Sequence, residues 1–444
     1  MKFGGLLAAL VVCAGLFGVV YWSNNHKKDD APKADLEAPP KILTIPEADI
    51  QKVEIRRKNG DDTVLDRAQG GKWRITAPKE FGADQETVTS LLTTVSDLAS
   101  DRLVDDKTTD LAQYGLAAPA VDVTLTRKNG KTKRLWIGDD APTGGSSFAK
   151  LEDDPRVFTI ASFNKTNLDK TVKDLRDKRL LTFDSDKLSR LELKAKKQDI
   201  EFGRVNQNEW QIVKPKPLRA DGLQVEELLR KLKDAKMDLA VPDVDAKKAA
   251  AAFASATPVA TARTTDPSGA RELEVRKTKT GDYYAKSSAV EGVYKVGSEL
   301  GTGLDKSVDD FRNKKLFDFG FNDPAKIEMH DGPKTYLFTK SGENWLAAGK
   351  TMDTLSFQSY LDKLRDLSAT KFVDSGSSAP GMDITVTSDA GKRVEKVLFS
   401  KAGAAYVARR ENELSFYELD AKTVEDLEKA ASDVKPAQDK SKKK

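Results

Sequence analysis

The segment LDKTVKDLRDKRL at residues 168–180 recurs as LDKSVDDFRNKKL at residues 304–316. A shortened version stands at Thr423-Val424-Glu425-Asp426-Leu427. Agreement over so many positions marks an internal repeat, and the rest of the chain falls into register around it. Upstream, Val53-Glu54-Ile55 is echoed by Leu191-Glu192-Leu193 and by Ile327-Glu328-Met329, at spacings of 138 and 136 residues. Each triplet is followed 18 to 20 residues later by a tryptophan: Trp73, Trp210 and Trp345.

A helix follows in each copy. Its apolar positions are Val88, Leu91, Leu92, Val95 and Leu98 in the first copy, and Val225, Leu228, Leu229, Leu232 and Ala235 in the second. The third has Phe357, Tyr360, Leu361, Leu364 and Leu367. The i, i+3, i+4, i+7 spacing predicts an amphipathic helix with one buried stripe. Asp84, Asp221 and Asp353 precede the three helices, where a short acceptor caps free N–H groups, and Asp221 with Gln224 reads as a capping box. Between the helices lie alternating runs such as Val121, Val123 and Leu125, which predict strands with one buried face. Asn59-Gly60 and Asn129-Gly130 read as type I′ hairpin turns. The Ala-rich run from Lys247 to Ala256 reads as a helix or linker within the second copy.

The expected fold class is therefore α+β: an N-terminal transmembrane helix followed by three tandem α+β repeat domains of antiparallel strands and amphipathic helices. The expected boundaries are anchor 1–22, linker 23–45, domains 46–184, 185–320 and 321–430, and a basic disordered tail 431–444. Copies of this size can each hold a core, so tandem domains fit better than thin solenoid repeats. The third copy has shorter connections and reads as a terminal cap.

The anchor is the uncharged stretch Phe3–Trp22, long enough as a helix to span about 30 Å of hydrocarbon. Tyr21 and Trp22 close it as an interfacial pair. A cleaved signal peptide and lipidation at Cys13 are the alternatives. No Ala-x-Ala follows the run, and Val12 precedes Cys13 where a small residue would be needed. The expected location is the inner (cytoplasmic) membrane, single-pass, with the bulk of the chain in the periplasm or cell envelope. The membrane, through residues 3–22, is then the first partner.

Composition narrows the chemistry. The 444 residues are 39% hydrophobic and 32% charged, with a net charge of +4. Residues 435–444 hold five lysines and one aspartate, which accounts for that excess, so no basic domain is left to grip nucleic acid. One cysteine and two histidines (His26 and His330) exclude an internal disulfide and Cys- or His-rich metal sites. No GxxxxGK[ST] is present, and Gly144-Gly145 and Gly301-Thr302-Gly303 carry no nucleotide signature. Catalytic, cofactor-binding and metal residues are each expected to be none, and the chain is read as no enzyme.

Weaker candidates remain. Arg176, Lys178 and Arg179, with Arg312, Lys314 and Lys315, read as a solvated helix face or, more sharply, a docking surface for an anionic partner. Asp139-Asp140 and Asp153-Asp154 lack the spaced ligands of a calcium loop. Trp73, Trp210 and Trp345 read as core anchors, with an aromatic ligand platform as the alternative.

Tyr114-Gly115-Leu116-Ala-Ala-Pro119 before an alternating strand, after the Val53 triplet, Trp73 and the Asp84-capped helix, resembles the bacterial domain-of-unknown-function family 4340. The second and third copies follow its outline but hold Ala256-Thr257-Pro258 and Ala379-Pro380-Gly381 at the comparable junctions. The resemblance implies a single-pass anchored protein, often associated with ABC transporters of the gliding-motility type, with an auxiliary role and no mapped functional residues. The expected function is a non-enzymatic auxiliary or scaffolding component with ABC transporter subunits as partners. The rival is an extracytoplasmic ligand-binding module for cell wall or polysaccharide, which needs an accessible tryptophan groove. A hydrolase using carboxylates alone is a third reading.

Overall fold

The computed structural model describes residues 40–206, 209–239, 246–319, 324–376 and 379–438. The expected anchor at 3–22, Cys13 and His26 lie outside the described residues. Among the described residues no helix is long and apolar enough to cross a membrane. The fold class is α+β, with antiparallel sheets and eight α-helices among the described residues. Two units are distinguished, residues 1–177 and 178–444. The first holds one nine-stranded sheet and a small two-stranded one, the second holds an eight- and a nine-stranded sheet, and each of the three large sheets has its own apolar cluster.

Every copy is built from two four-stranded meanders. In the first copy the strands Ile50–Arg57, Thr63–Arg67, Trp73–Ala77 and Phe81–Gly82 run outward in one direction. Val121–Arg127, Thr132–Asp140, Ser146–Leu151 and Val157–Ala161 run outward in the other. The two first strands pair antiparallel at the centre, with Val53 opposite Leu125 and Ile55 opposite Val123. The second and third copies repeat this, pairing Leu193 with Ala262 and Met329 with Ile384. A helix ends each meander: Gln85–Ser96 and Ser162–Leu168, Gly222–Lys233 and Ser298–Leu304, Thr354–Arg365 and Ala421–Ser432. Each copy is thus a ββββα unit used twice, a half-period hidden in the sequence.

Period-two alternation decides which face is buried. Val53, Ile55, Leu65, Val123, Leu125, Leu135 and Ile137 point to the helices and are 0 to 1% exposed. From the helix side Val88, Leu91, Leu92 and Val95 close the same core, as do Val225, Leu228, Leu229 and Leu232, and Phe357, Tyr360, Leu361 and Leu364. Burying each such side chain contributes about 1.5–3 kcal/mol. All three aspartates cap as expected: Asp84 accepts from Thr87 N at 2.9 Å, Asp221 from Leu223 N at 3.0 Å, and Asp353 from Ser356 N at 2.9 Å. Asp221 makes no reciprocal box with Gln224. The capping boxes form at Thr171 with Asp174 and at Ser307 with Asp310.

The repeated segment quoted first is a stitch. In the first copy Leu175 O accepts from Asp84 N at 2.8 Å, and Asp177 N donates to Gly82 O at 2.8 Å. Its next residues belong to the second copy, where Leu180 N donates to Ala235 O and Met237 N to Lys178 O, both at 2.8 Å. The later version does the same: Asp221 N to Phe311 O at 2.7 Å, then Leu316 N to Leu367 O at 3.0 Å. One half closes a copy and the other half opens the next. In the third copy Lys435–Ala437 make the closing contacts, with Asp353 N donating to Lys435 O at 2.8 Å. Thr423–Leu427 instead lie within the last helix.

These contacts move the ends of the copies. Lys41–Thr44 is a strand paired with Asp97–Ala99, so the first copy takes in the end of the expected 23–45 linker. Residues 431–437, expected in the tail, are helix and clasp, and residues 439–444 lie outside the described residues. The turns also differ from expectation. Asn59 and Gly60 lack positive φ, and at Asn129-Gly130 only the glycine is left-handed, at +77°. Those loops are longer than the two residues that a type I′ turn closes. The run 247–256 is helical, as Ala246–Ser255.

Candidate functional site

With the helices on one side, each sheet turns its other face outward. On the first meander that face carries Lys52, Glu54, Arg56, Asp66 and Arg74 in the first copy, and Arg190, Glu192, Lys194 and Glu201 in the second. The third presents Lys326, Glu328, His330 and Leu337. Opposite charges pair along a strand, Lys52 to Glu54 at 2.6 Å and Lys326 to Glu328 at 2.9 Å, and across strands, Arg190 to Glu201 at 2.6 Å. Arg190 and then Lys214 hold the Glu201 carboxyl below its usual range. His330 Nδ1 lies 3.1 Å from Asp383 on the same face. Such exposed pairs contribute little to stability, about 0–1 kcal/mol each. What they set is a patterned, polar surface.

The second meander's outer face is covered, by a different element in each copy. In the first, the Tyr114-Gly115-Leu116 loop lies across it. Leu116 is buried, and Tyr114 meets Phe148 edge-on at 5.0 Å and donates to Asp105 at 3.2 Å. Burial, and then the Asp105 carboxylate, raise the Tyr114 hydroxyl above its ordinary value. In the second copy the Ala246–Ser255 helix does this work, with Phe253 buried under Arg276 at 4.5 Å. In the third, Gly376 sits against Phe416 and Val407. The motif that carries the family resemblance is therefore a cover for half a sheet.

The tryptophans anchor cores. Trp73, Trp210 and Trp345 are 6, 4 and 8% exposed, so the accessible aromatic groove required by the carbohydrate-type reading is not formed by them. Trp345 stacks on Phe357 at 4.3 Å, and Trp210 Nε1 donates to Glu226 at 2.7 Å. Trp136, which sequence reasoning did not single out, sits on the outer face with Arg134 and Lys150 at 5.6 and 5.4 Å from its ring.

The repeated basic residues are not on a solvated helix face. The short helices end at Leu175 and Phe311, and the arginines follow in extended backbone. Arg176 is 5% exposed and stacks over Phe81 at 4.1 Å; Arg312 stacks over Phe372 at 3.4 Å and donates to Ser415 at 2.9 Å. Arg179 pairs with Lys236 and Lys315 with Ser368 as backbone bridges. Lys178 O accepts from Met237 N, and Lys314 Nζ donates to Thr370 O at 3.3 Å.

The acidic pairs are engaged. Asp140 holds Lys165 at 2.7 Å and Ser147 at 2.6 Å, Asp153 pairs with Lys133, and Asp154 with Arg156 at 2.6 Å. Asp139 packs on Gly115. Gly144 and Gly145 form a left-handed turn, and Gly301 lets its helix approach the Tyr283 ring, where a Cβ would stand at 2.1 Å.

Sequence reasoning also missed an ion network where the second and third copies meet. Arg219 pairs with Asp318 and lies 3.5 Å from Glu413; Arg410 reaches Glu395 at 2.9 Å and Glu413 at 2.7 Å. Tyr417 donates to Glu413 at 2.6 Å, and burial pushes its hydroxyl up to about 12. No local pattern unites residues so far apart.

Neither a curated protein nor a solved structure matches the chain. A family does match, over residues 73–209 and 210–386. Each stretch begins at a core tryptophan, Trp73 or Trp210, one repeat apart. On that match the chain belongs to the family described as Domain of unknown function (DUF4340).

Proposed function

We propose that this protein is a non-enzymatic, membrane-anchored envelope component that serves an ABC-type transport system as an auxiliary or scaffolding subunit. Residues 3–22 form its single-pass anchor in the inner membrane, and its tandem α+β domains lie outside the cytoplasm. The reading is carried by the first meander's charged outer face, presented again in every copy. A repeated polar face of mixed sign suits contact with proteins, since charge complementarity sets partner choice and register more than raw affinity. The apolar run at the N-terminus supports the anchor.

The test is affinity purification of the full chain from gently solubilised membranes, with bound proteins identified by mass spectrometry. Recovery of an ATPase and a permease is expected, and Glu54→Lys with Glu328→Lys should reduce it. Recovery of the protein alone would overturn the transport assignment.

A further inference from the structure

The hairpin between Arg190–Ala195 and Gln198–Asn206 turns on two residues, Lys196 and Lys197, with φ of +49° and +62°. Both central residues are left-handed, the type I′ geometry in which Asn-Gly is favoured because other side chains are strained. Two lysines hold it here. Backbone of this kind clusters at functional sites, which raises the question of what the two lysines do.

The turn forms one wall of a basin of about 1030 Å³ in the second copy. Lys194, Lys196, Lys197 and Lys214 line it, against the carboxylates of Asp199 and Asp305. Lys214 is drawn to Glu201 at 2.9 Å and Lys194 lies 3.9 Å from Asp199. Among the described residues, Lys196 and Lys197 make no direct ion pair, although the charge of Lys196 is felt by the Asp310 carboxylate. The apolar part of the lining comes from Pro215, Pro258 and Val259. Two smaller cavities lack this excess: one sets Lys231 and Lys306 against Glu227 and Glu299, the other Lys340 against Glu343.

We propose that this basin binds a phosphate-class anion carried on a small apolar group. An ammonium offers three donors to a phosphoryl oxygen cluster, and the long flexible lysine stems let two amines close on one anion. The proline-lined floor takes the apolar portion, the usual division of labour in a ligand pocket. The basin borders the second copy's charged face and shares Lys194 with it.

The full chain in mild non-ionic detergent would be titrated calorimetrically with inorganic tripolyphosphate and, separately, with dihexanoylphosphatidylglycerol. Wild type is expected to bind at least one probe, more weakly at higher salt. Lys196→Asn with Lys197→Gly installs the favoured turn pair, so the fold is retained or stabilised while affinity falls at least about tenfold. Lys279→Gln, on another exposed turn, should bind as wild type does. Binding of tripolyphosphate identifies a free anion as sufficient, and binding of the lipid alone identifies a headgroup with its chains. Absence of binding by both probes, or unchanged affinity in the Asn-Gly variant, would overturn the proposal.

Discussion

Gly138 lies directly beneath the Tyr114 carbonyl: a Cβ on Gly138 would stand 2.1 Å from that oxygen. The contact explains how the Tyr-Gly-Leu loop covers the second meander, since only a residue without a side chain lets the loop backbone reach the sheet. Gly138→Ala is expected to destabilise the first copy by about 1–3 kcal/mol through overpacking. It should also free the loop. Faster amide exchange at Leu111–Leu116, with the central strands still protected, is the signature to look for.

Arg219 and Asp318 join the second and third copies, with side chains 18% and 23% exposed. Removing the arginine leaves Asp318 and Glu413 poorly compensated. Arg219→Ala should cost about 2 kcal/mol in chemical unfolding of the second unit. In a double-mutant cycle Asp318→Ala should then cost less in the Arg219→Ala background than alone. Additive losses would show that the two residues act independently.

The caps give a prediction common to all three copies. Asp84→Ala, Asp221→Ala and Asp353→Ala should each destabilise by about 1 kcal/mol, and Asp→Asn at the same sites by only a few tenths. Denaturant midpoints measured for the six variants would check this, and a cap of no consequence in one copy would break its equivalence with the others.

Asp266 provides the pH dependence. The Ser268 hydroxyl, and then the Asp184 and Ser268 backbone N–H groups, hold its carboxyl down to about 2. An unfolded aspartate titrates near 3.9. Because the folded value is depressed, the stabilisation is fully present above about pH 4 and is lost as pH falls toward about 2. Asp266→Asn should therefore lower the midpoint near neutrality and flatten the acid limb. An acid limb identical to wild type would count against the assignment.

Much of the architecture was legible because it is local. The 138- and 136-residue spacings, the helical stripes from Val88, Val225 and Phe357, and the aspartate caps follow from periodicity and side-chain chemistry within a few turns of chain. The buried tryptophans followed as well, and the Tyr-Gly-Leu motif led to the family. Arg176 and Arg312 were misread because their charge suggested solvent, whereas long stems let them stack on Phe81 and Phe372.

What the sequence by itself determined was therefore the repeat, the α+β class and the buried stripe of each helix, since those depend on neighbours in the chain. Tertiary structure alone decided that one motif closes one copy and opens the next, that each copy is two meanders paired through their first strands, and that Lys196 and Lys197 occupy a left-handed turn. It also assembled Arg219, Asp318, Arg410 and Glu413. These features depend on strand register and on contacts between residues distant in the chain, where the twist and pairing of the finished sheet set the geometry.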